Sequence, residues 1–322
     1  MMNIVDLHCD TLMGCVKGTP LAKNDMHIDI EKLKKGGALA QFFAIFIPTG
    51  ESAVRHGNNL PPYEYFCKTY EAYLRELELN KNDIASALCY ADIEKNQAEG
   101  KISALLTIED GGAVLQNDMA RLEEAYQKGI RLITLTWFYE NCIGYPCSKD
   151  HPELMDKGLK PFGLDVLARM NELGIIVDVS HLSDGGFWDV VNYGKKPFVA
   201  SHSCCRALCD HPRDLTDEML KALGKKGGAI GVNFSDGFLR TGGSDKAYIS
   251  DVVRHLRHMA DVAGTDAPAF GSDYDGIGYN LEWVDYSGMP LIVDAMRKEF
   301  TASEIDKICH GNALRVIKEV IG

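Results

Sequence analysis

The sequence predicts an α/β fold of the (β/α)8 barrel type, and three observations support this. The chain has 322 residues, enough for one large domain, and shows no linker, repeat or change of composition. Short apolar runs rich in β-branched residues alternate with amphipathic stretches of helical spacing. There are eight such strand-then-helix units, as a barrel requires. We therefore expect residues 1–322 to form a single catalytic barrel domain. A doubly wound open sheet is the competing arrangement.

The predicted strands are short apolar runs that end in polar residues or turns. In chain order they are 4–8, 38–47, 102–108, 131–137, 175–181, 198–202, 229–234 and 269–273. No glycine-rich turn follows the first strand, so dinucleotide binding is disfavoured.

The predicted helices have apolar residues at helical spacing. They cover 63–79, 120–128, 163–173, 217–223, 249–263 and 312–321, and the last should pack back on the barrel. Gly129, Gly174 and Gly228 stand between a predicted helix and the next strand, where a helix C-terminal cap is expected.

The composition is that of an ordinary enzyme, with 46% hydrophobic and 25% charged residues. A formal charge of −12 disfavours nucleic acids and anionic membranes as partners. No apolar run is long enough to span a membrane, and no secretion signal is visible. The ten cysteines are scattered and lack the paired C-x-x-C spacing of a zinc site. These features lead us to expect reduced thiols and a cytoplasmic location.

Ionisable residues follow five of the predicted strands. They are His8 with Asp10, Glu109 with Asp110, His181, His202 and Asp273. Each has an ordinary explanation as a helix-capping acid or a hydrogen-bonded core histidine. In a barrel, however, the carboxyl ends of the strands meet at one rim, where active sites lie. Grouping these residues there without a shared purpose would be costly, and bound metal ions would supply that purpose.

The order of these motifs resembles the membrane (renal) dipeptidase family, peptidase family M19, within the amidohydrolase-type metal-dependent barrels. The resemblance extends over essentially the whole chain. It rests on His8-x-Asp10, Gly36-Gly37-x-x-x-Gln41-Phe42-Phe43, Glu109-x-Gly111-Gly112, Pro161-Phe162-Gly163, Ser180-His181, Ser201-His202-Ser203, Gly271-Ser272-Asp273-Tyr274-Asp275-Gly276 and Gly311-Asn312-x-x-Arg315.

This resemblance implies a centre with two Zn²⁺ ions per chain. His8 and Asp10 would bind one ion, His181 and His202 the other, and Glu109 would bridge both. Related barrels often use a carboxylated lysine as the bridge, and no lysine ends the fourth predicted strand. The same donor set also suits Mn²⁺, Co²⁺ or Fe²⁺.

The implied reaction is hydrolysis of a dipeptide by a metal-bridging hydroxide, with Asp273 carrying the proton. Asp275 is the alternative carrier, or it anchors a turn. By the same resemblance Arg213 would bind the terminal carboxylate of the substrate, because a guanidinium group pairs bidentately with carboxylates. Arg206 competes for that role, and a surface arginine in a loop is the ordinary alternative for Arg213. The resemblance also suggests a homodimer.

One position departs from the family pattern. Members typically carry Leu-Thr-His at the end of the fourth predicted strand, and this chain has Leu135-Thr136-Trp137. Trp137 offers a flat apolar wall and a single N–H donor in place of an imidazole, or simply packs the barrel mouth. The substrate could therefore be an unusual dipeptide. A second hypothesis is that the protein is a related metal-dependent hydrolase that cleaves a different bond, such as an N-acyl amino acid deacylase or a lactonase. A third is a barrel that binds a ligand without catalysis.

Overall fold

Eight parallel strands close into a barrel in the computed structural model, which describes residues 2–322. A ninth, short strand lies outside the closed ring. In chain order the strands are β1 (Ile4–Cys9), β2 (Ala38–Phe46), β3 (Ile84–Ser86), β4 (Ile102–Glu109), β5 (Ile130–Thr134), β6 (Ile176–Asp178), β7 (Val199–Ser203), β8 (Ala229–Val232) and β9 (Pro268–Phe270).

The hydrogen-bonded order of the ring is β2-β1-β9-β8-β7-β6-β5-β4, and pairing of β2 with β4 closes it. This closure brings Phe46, the last residue of β2, into register with Glu109, the last residue of β4. Strand β3 pairs only with the beginning of β4. The barrel is confirmed, and the open-sheet alternative is wrong.

Helices cover the outside of the ring. They are α1 (Leu12–Cys15), α2 (Ile30–Gly36), α3 (Gly50–Arg55), α4 (Pro62–Leu79), α5 (Tyr90–Ala98), α6 (Gly111–Leu115), α7 (Met119–Gln127), α8 (Pro161–Leu173), α9 (Asp184–Tyr193), α10 (Asp217–Lys225), α11 (Asp236–Leu239), α12 (Ile249–Ala263), α13 (Met289–Met296), α14 (Ala302–Asp306) and α15 (Asn312–Val320). Short 3-10 turns occur at Pro152–Leu154 and Tyr286–Gly288, and a π-helical turn, Lys307–Gly311, joins α14 to α15. None of the helices in residues 2–322 is long and apolar enough to cross a membrane.

The apolar core has two parts. The smaller cluster takes residues from all eight strands of the ring, so it fills the barrel interior. Helix α15 adds Ala313, Val316, Ile317 and Val320 to this cluster and so packs on the barrel, as expected. The larger cluster lies between the ring and the helices, and includes the fully buried Cys9. Cys9 therefore packs in the core.

Three strands end three residues earlier than the sequence predicted. Strand β5 stops at Thr134, so Trp137 lies in the following loop. Strands β6 and β9 stop before His181 and Asp273, whose φ angles of 66° and 60° are left-handed and incompatible with a strand. These short strands leave their polar residues on loops at the rim.

The glycine caps are partly as predicted. Gly129 and Gly174 adopt φ angles of 91° and 80° after helices α7 and α8. The prediction for Gly228 was wrong, because the left-handed residue after α10 is Gly227, with φ 72°. Strand β3 and several short helices, among them α2 and α5, were not anticipated.

Candidate metal centre

Five predicted ligands converge at the carboxyl ends of the strands. They come from β1 and the residue after it (His8, Asp10), from the end of β4 (Glu109), from the loop after β6 (His181) and from β7 (His202). All five are buried. Because buried polar groups are costly unless they are paired, their grouping calls for a compensating partner.

Three ligand atoms form the tighter half of the cluster. His181 Nε2 lies 3.1 Å from His202 Nε2 and 3.0 Å from Glu109 Oε1, and His202 Nε2 lies 3.4 Å from the same oxygen. Donor atoms around a tetrahedral zinc ion, at bonds of about 2.0–2.1 Å, are separated by roughly 3.3 Å. The spacing of these atoms therefore fits ligands of one ion.

The other half is centred on His8. Its Nε2 lies 3.5 Å from Asp10 Oδ2, 3.6 Å from Glu109 Oε2 and 3.8 Å from Asp273 Oδ1. Glu109 thus turns one oxygen toward each half. Within residues 2–322, both ring nitrogens of His8 and Oδ1 of Asp10 are buried without a hydrogen-bond partner. Such unpaired buried atoms are expensive, and a divalent cation bound by imidazole and carboxylate would satisfy them.

The electrostatics of His181 and His202 suit metal binding, whereas His8 must first lose a proton. Burial, reinforced by the nearby positive charges of Arg213 and His8, lowers the pKa of His181 well below its usual value. Burial and His8 do the same to the pKa of His202. Both rings are therefore neutral and able to offer a lone pair. For His8, burial lowers the pKa, but the carboxylates of Glu109 and Asp10 outweigh it and raise the pKa to about 10.

For the carboxylates, burial shifts the pKa in the opposite direction and favours the protonated form. Burial, with Asp10 as a negative neighbour, raises the pKa of Glu109 well above its usual value. Burial also raises the pKa of Asp273 to about 7, against the attraction of His8. A bound cation would relieve both effects, since it favours the ionised form of a carboxylate beside it.

A chain of hydrogen bonds orients His202. Ser201 Oγ lies 2.6 Å from Asp178 Oδ2 and 2.7 Å from His202 Nδ1. Since the Asp178 carboxylate can only accept, the hydroxyl donates to it and accepts from the Nδ1–H of His202. This places the lone pair of the ring on Nε2, which faces Glu109. The same Asp178 carboxylate also accepts from Thr134 Oγ1 at 2.5 Å and thus joins β5, β6 and β7.

On the other side of the barrel, Asp6 links two elements by accepting hydrogen bonds, as Asp178 does. Its carboxylate accepts from the backbone N–H and the hydroxyl of Ser272 at 2.8 and 2.6 Å. Asp6 lies in β1 and Ser272 directly precedes Asp273, so this contact ties the first strand to the loop after β9. Burial raises the pKa of Asp6 even though these donors oppose the shift.

Asp273 is held by one amide. Asn233 donates from Nδ2 to Asp273 Oδ2 at 2.8 Å, which leaves Oδ1 facing His8. Asp275, the alternative proton carrier, has a fully buried side chain that accepts from Thr11 Oγ1 at 2.5 Å and from His27 N at 2.6 Å. Its contacts are those of a loop anchor.

The two arginines have different surroundings. Arg206 forms a bidentate pair with Asp184 at 2.7 and 2.8 Å. Arg213 is buried and donates to the carbonyl of His202 at 2.9 Å and to Ser203 Oγ at 3.2 Å, while its Nε has no partner among residues 2–322. Arg213 is therefore the arginine with unused hydrogen-bonding capacity beside the histidine cluster.

A cleft of about 530 Å³ opens next to the cluster and has both Arg213 and Trp137 in its wall. The Trp137 ring meets Phe46 edge-on at 4.7 Å, packs on Phe138 at 4.2 Å and lies 6.2 Å from the His181 ring. A larger cavity of about 670 Å³ runs along α12 and holds none of the predicted site residues.

Sequence reasoning missed Asp6, Asp178 and Asn233. A signal was present for the first two, because each aspartate interrupts an apolar strand (Ile4-Val5-Asp6-Leu7 and Ile176-Val177-Asp178-Val179). A carboxylate inside such a run is buried and must find donors. Asn233 gave no comparable signal, since its partner Asp273 is 40 residues away.

Comparison with known proteins gives consistent results. The model of the membrane dipeptidase family, peptidase family M19, matches residues 1–321. The chain is 34% identical over 238 residues to an uncharacterized protein in the pqqA 5′ region of Klebsiella pneumoniae, covering 72% of this chain and 88% of that protein. It is 32% identical over 300 residues to an uncharacterized dipeptidase of Schizosaccharomyces pombe, covering 91% and 72% of the two chains.

Solved structures share the fold. A metallo peptidase from Rhodobacter sphaeroides, liganded with a phosphinate mimic of the dipeptide L-Ala-D-Ala, superposes with a TM-score of 0.90 at 24% identity over 99% of both chains. A metallo peptidase named dipeptidase AC, of family M19, gives a TM-score of 0.89 at 24% identity, covering 100% of this chain and 99% of that one.

Proposed function

The chain belongs to the membrane dipeptidase family, peptidase family M19, and from this premise we propose that it is a zinc-dependent dipeptidase. The observation that carries the proposal is the position of Glu109. Its Oε1 lies 3.0 Å from His181 Nε2 and its Oε2 lies 3.6 Å from His8 Nε2, so one carboxylate serves two groups of donors.

We assign two metal ions to this centre. His8 and Asp10 would hold one, His181 and His202 the other, and Glu109 would bridge them. The unpaired buried nitrogens of His8 and the neutral His181 and His202 support this assignment. When bound, such ions supply Lewis acidity that polarises a carbonyl and acidifies water. The mixed imidazole and carboxylate set suits zinc.

The side chains around the centre would bind and orient the dipeptide. Arg213 would pair with its terminal carboxylate, because the buried guanidinium lines the cleft and keeps an unpaired Nε. Trp137 would pack against the substrate from the same cleft, as a flat apolar surface beside His181. A dipeptide anchored by Arg213 would thus extend toward the histidines.

Asp273 would move the proton. Its Oδ1 faces the centre while Asn233 holds Oδ2, so Oδ1 is the oxygen that exchanges protons. It would accept a proton from the attacking water and donate it to the departing amine as the peptide C–N bond breaks. Asp275 lacks this freedom because Thr11 and His27 occupy both of its oxygens.

A second candidate function is hydrolysis of N-acyl amino acids, and Trp137 is the observation that favours it. An acyl chain would pack on the aromatic surface formed by Trp137 and Phe138 without needing an amino group.

A substrate panel separates the two functions. The zinc-loaded protein is incubated with L-X-L-X and L-X-D-X dipeptides and, in parallel, with the corresponding N-acetyl and N-fatty-acyl amino acids. Release of two amino acids from dipeptides is the expected result. Cleavage of acyl amino acids alone would establish the second function, and cleavage of neither class would contradict both.

A further inference from the structure

Gly276 lies against the two aspartates that face His8. A Cβ atom built on Gly276 would sit 2.1 Å from Asp10 Oδ2 and 2.6 Å from Asp273 Oδ1. Both distances are far below any real carbon–oxygen contact, which begins above about 3 Å. The φ angle of Gly276 is not in the left-handed region, so the backbone alone does not require glycine here. The requirement for glycine comes from the two carboxylates.

The loop that carries Gly276 is anchored by hydrogen bonds directly before this residue. The preceding residue, Asp275, accepts hydrogen bonds from Thr11 Oγ1 at 2.5 Å and from the backbone N–H of His27 at 2.6 Å. The carbonyl of the fully buried Tyr274 accepts from Asp10 N at 2.9 Å. A side chain at position 276 would therefore displace the carboxylates and leave the loop in place.

The two carboxylates are drawn together around one nitrogen. Asp10 Oδ2 and Asp273 Oδ1 lie 3.5 and 3.8 Å from His8 Nε2, and the ligand atoms of these three residues are all within 4.8 Å of one another. Two carboxylates at such a distance repel each other, and a bound cation or a protonated imidazole is needed to hold them.

We propose that Gly276 is a positioning residue: by lacking a side chain it lets Asp10 and Asp273 approach the same point and so builds the His8 side of the metal centre. This inference rests on the proposed function for the identity of the bound ion, but the steric contact is independent of it. Replacement of Gly276 by any other residue would push Asp10 away from His8 and weaken metal binding on that side.

The first test compares Gly276→Ala with Gly278→Ala. Gly278 lies in the same loop, and a Cβ there would meet nothing within 4 Å. Chelated protein is titrated with Zn²⁺ by calorimetry. Wild type and Gly278→Ala should bind two equivalents, whereas Gly276→Ala should bind one normally and the other at least tenfold more weakly. Wild-type binding of both equivalents by Gly276→Ala would overturn the proposal.

The second test is a double-mutant cycle on the stability of the metal-free protein. The background variant Asp10→Ala/Asp273→Ala removes both carboxylates that a Cβ at position 276 would touch. Gly276→Ala should therefore lower the Tm of the wild type, or prevent its folding, and should lower the Tm of the Asp10→Ala/Asp273→Ala background much less. Equal losses in the two backgrounds, or failure of both Gly276→Ala proteins to fold, would overturn the proposal. If wild type binds no Zn²⁺, the proposed function fails while this cycle still decides the steric contact.

Discussion

The hydroxyl of Ser201 lies 2.7 Å from Nδ1 of His202 and fixes which nitrogen of that ring faces the proposed metal centre. Asp178 accepts a hydrogen bond of 2.6 Å from this hydroxyl, so Ser201 Oγ must in turn accept a hydrogen bond from the imidazole. Groups that orient a metal-binding histidine in this way contribute to affinity even though they never touch the ion.

Ser201→Ala should lower zinc affinity by about 10- to 100-fold, the usual cost of losing such a partner. The His202 ring would lose the acceptor that holds its proton on Nδ1. Competition titration with a chromogenic chelator measures the change. Ser303→Ala, at an exposed position in helix α14, is the control and should keep wild-type affinity. Equal affinity of Ser201→Ala and wild type would show that the hydrogen bond has no such role.

Asp273→Asn should reduce kcat by roughly 10²- to 10⁴-fold, the range of general acid–base catalysis, because the amide cannot accept the proton. Zinc content should stay at the wild-type level. Asp275→Asn provides the contrast. It disturbs the contacts with Thr11 and His27, so its main effect should be a lower Tm. Steady-state kinetics and thermal melts of both variants test this assignment, and an active Asp273→Asn enzyme would refute it.

Arg213→Met should abolish the preference for a free carboxylate. A hydrogen bond to a charged group contributes about 1.5–3 kcal/mol, so wild type should prefer a dipeptide over its C-terminal amide by about 10- to 100-fold in kcat/KM. The variant should treat the two substrates alike. Arg55→Met changes a cation of the same cleft that has no ion pair within residues 2–322, and should keep the preference. A preference that survives in Arg213→Met would assign the carboxylate to another residue.

Asp214 should make the stability of the protein fall as the pH rises. Burial raises its pKa to about 8 although Arg213 lowers it, and its Oδ2 has no partner in the described chain. A raised pKa means that the folded protein holds a proton that the unfolded chain releases near pH 4, so stability is lost progressively between about pH 4 and pH 8.

Asp214→Asn removes this titration and should gain Tm over the wild type, with the difference growing from pH 5 to pH 8 and levelling above. Differential scanning calorimetry at several pH values measures it. A constant difference across this range would mean that Asp214 is ionised in the folded protein. A protonated Asp214 would also leave the charge of Arg213 available for the proposed substrate carboxylate.

Much of the fold could be predicted from the sequence because the strands of a closed parallel sheet are apolar and end in polar residues. His8, Glu109 and His202 were found this way, since each ends or follows a buried run. The exact residues at which the strands end could not be predicted from the sequence. His181 and Asp273 turn into the left-handed conformation only because the surrounding contacts compensate its cost.

The supporting groups were harder to predict than the ligands. Asn233 is 40 residues from Asp273 in the sequence, and nothing local links the two. Gly276 stands in the same motif as Asp273, but the sequence does not show that it also lies against Asp10. Strand β3 has three residues and pairs only with β4, so its apolar pattern is too short to be recognised.

The central claim, that a two-metal centre built around Glu109 hydrolyses dipeptides, is tested most directly by a metal titration of activity. The chelated protein is supplied with zero to four equivalents of Zn²⁺ per chain, and the rate of dipeptide hydrolysis is measured at each point. We predict negligible activity without metal and a rise that saturates at two equivalents. Full activity in the chelated protein, or no hydrolysis at any zinc content, would contradict the account.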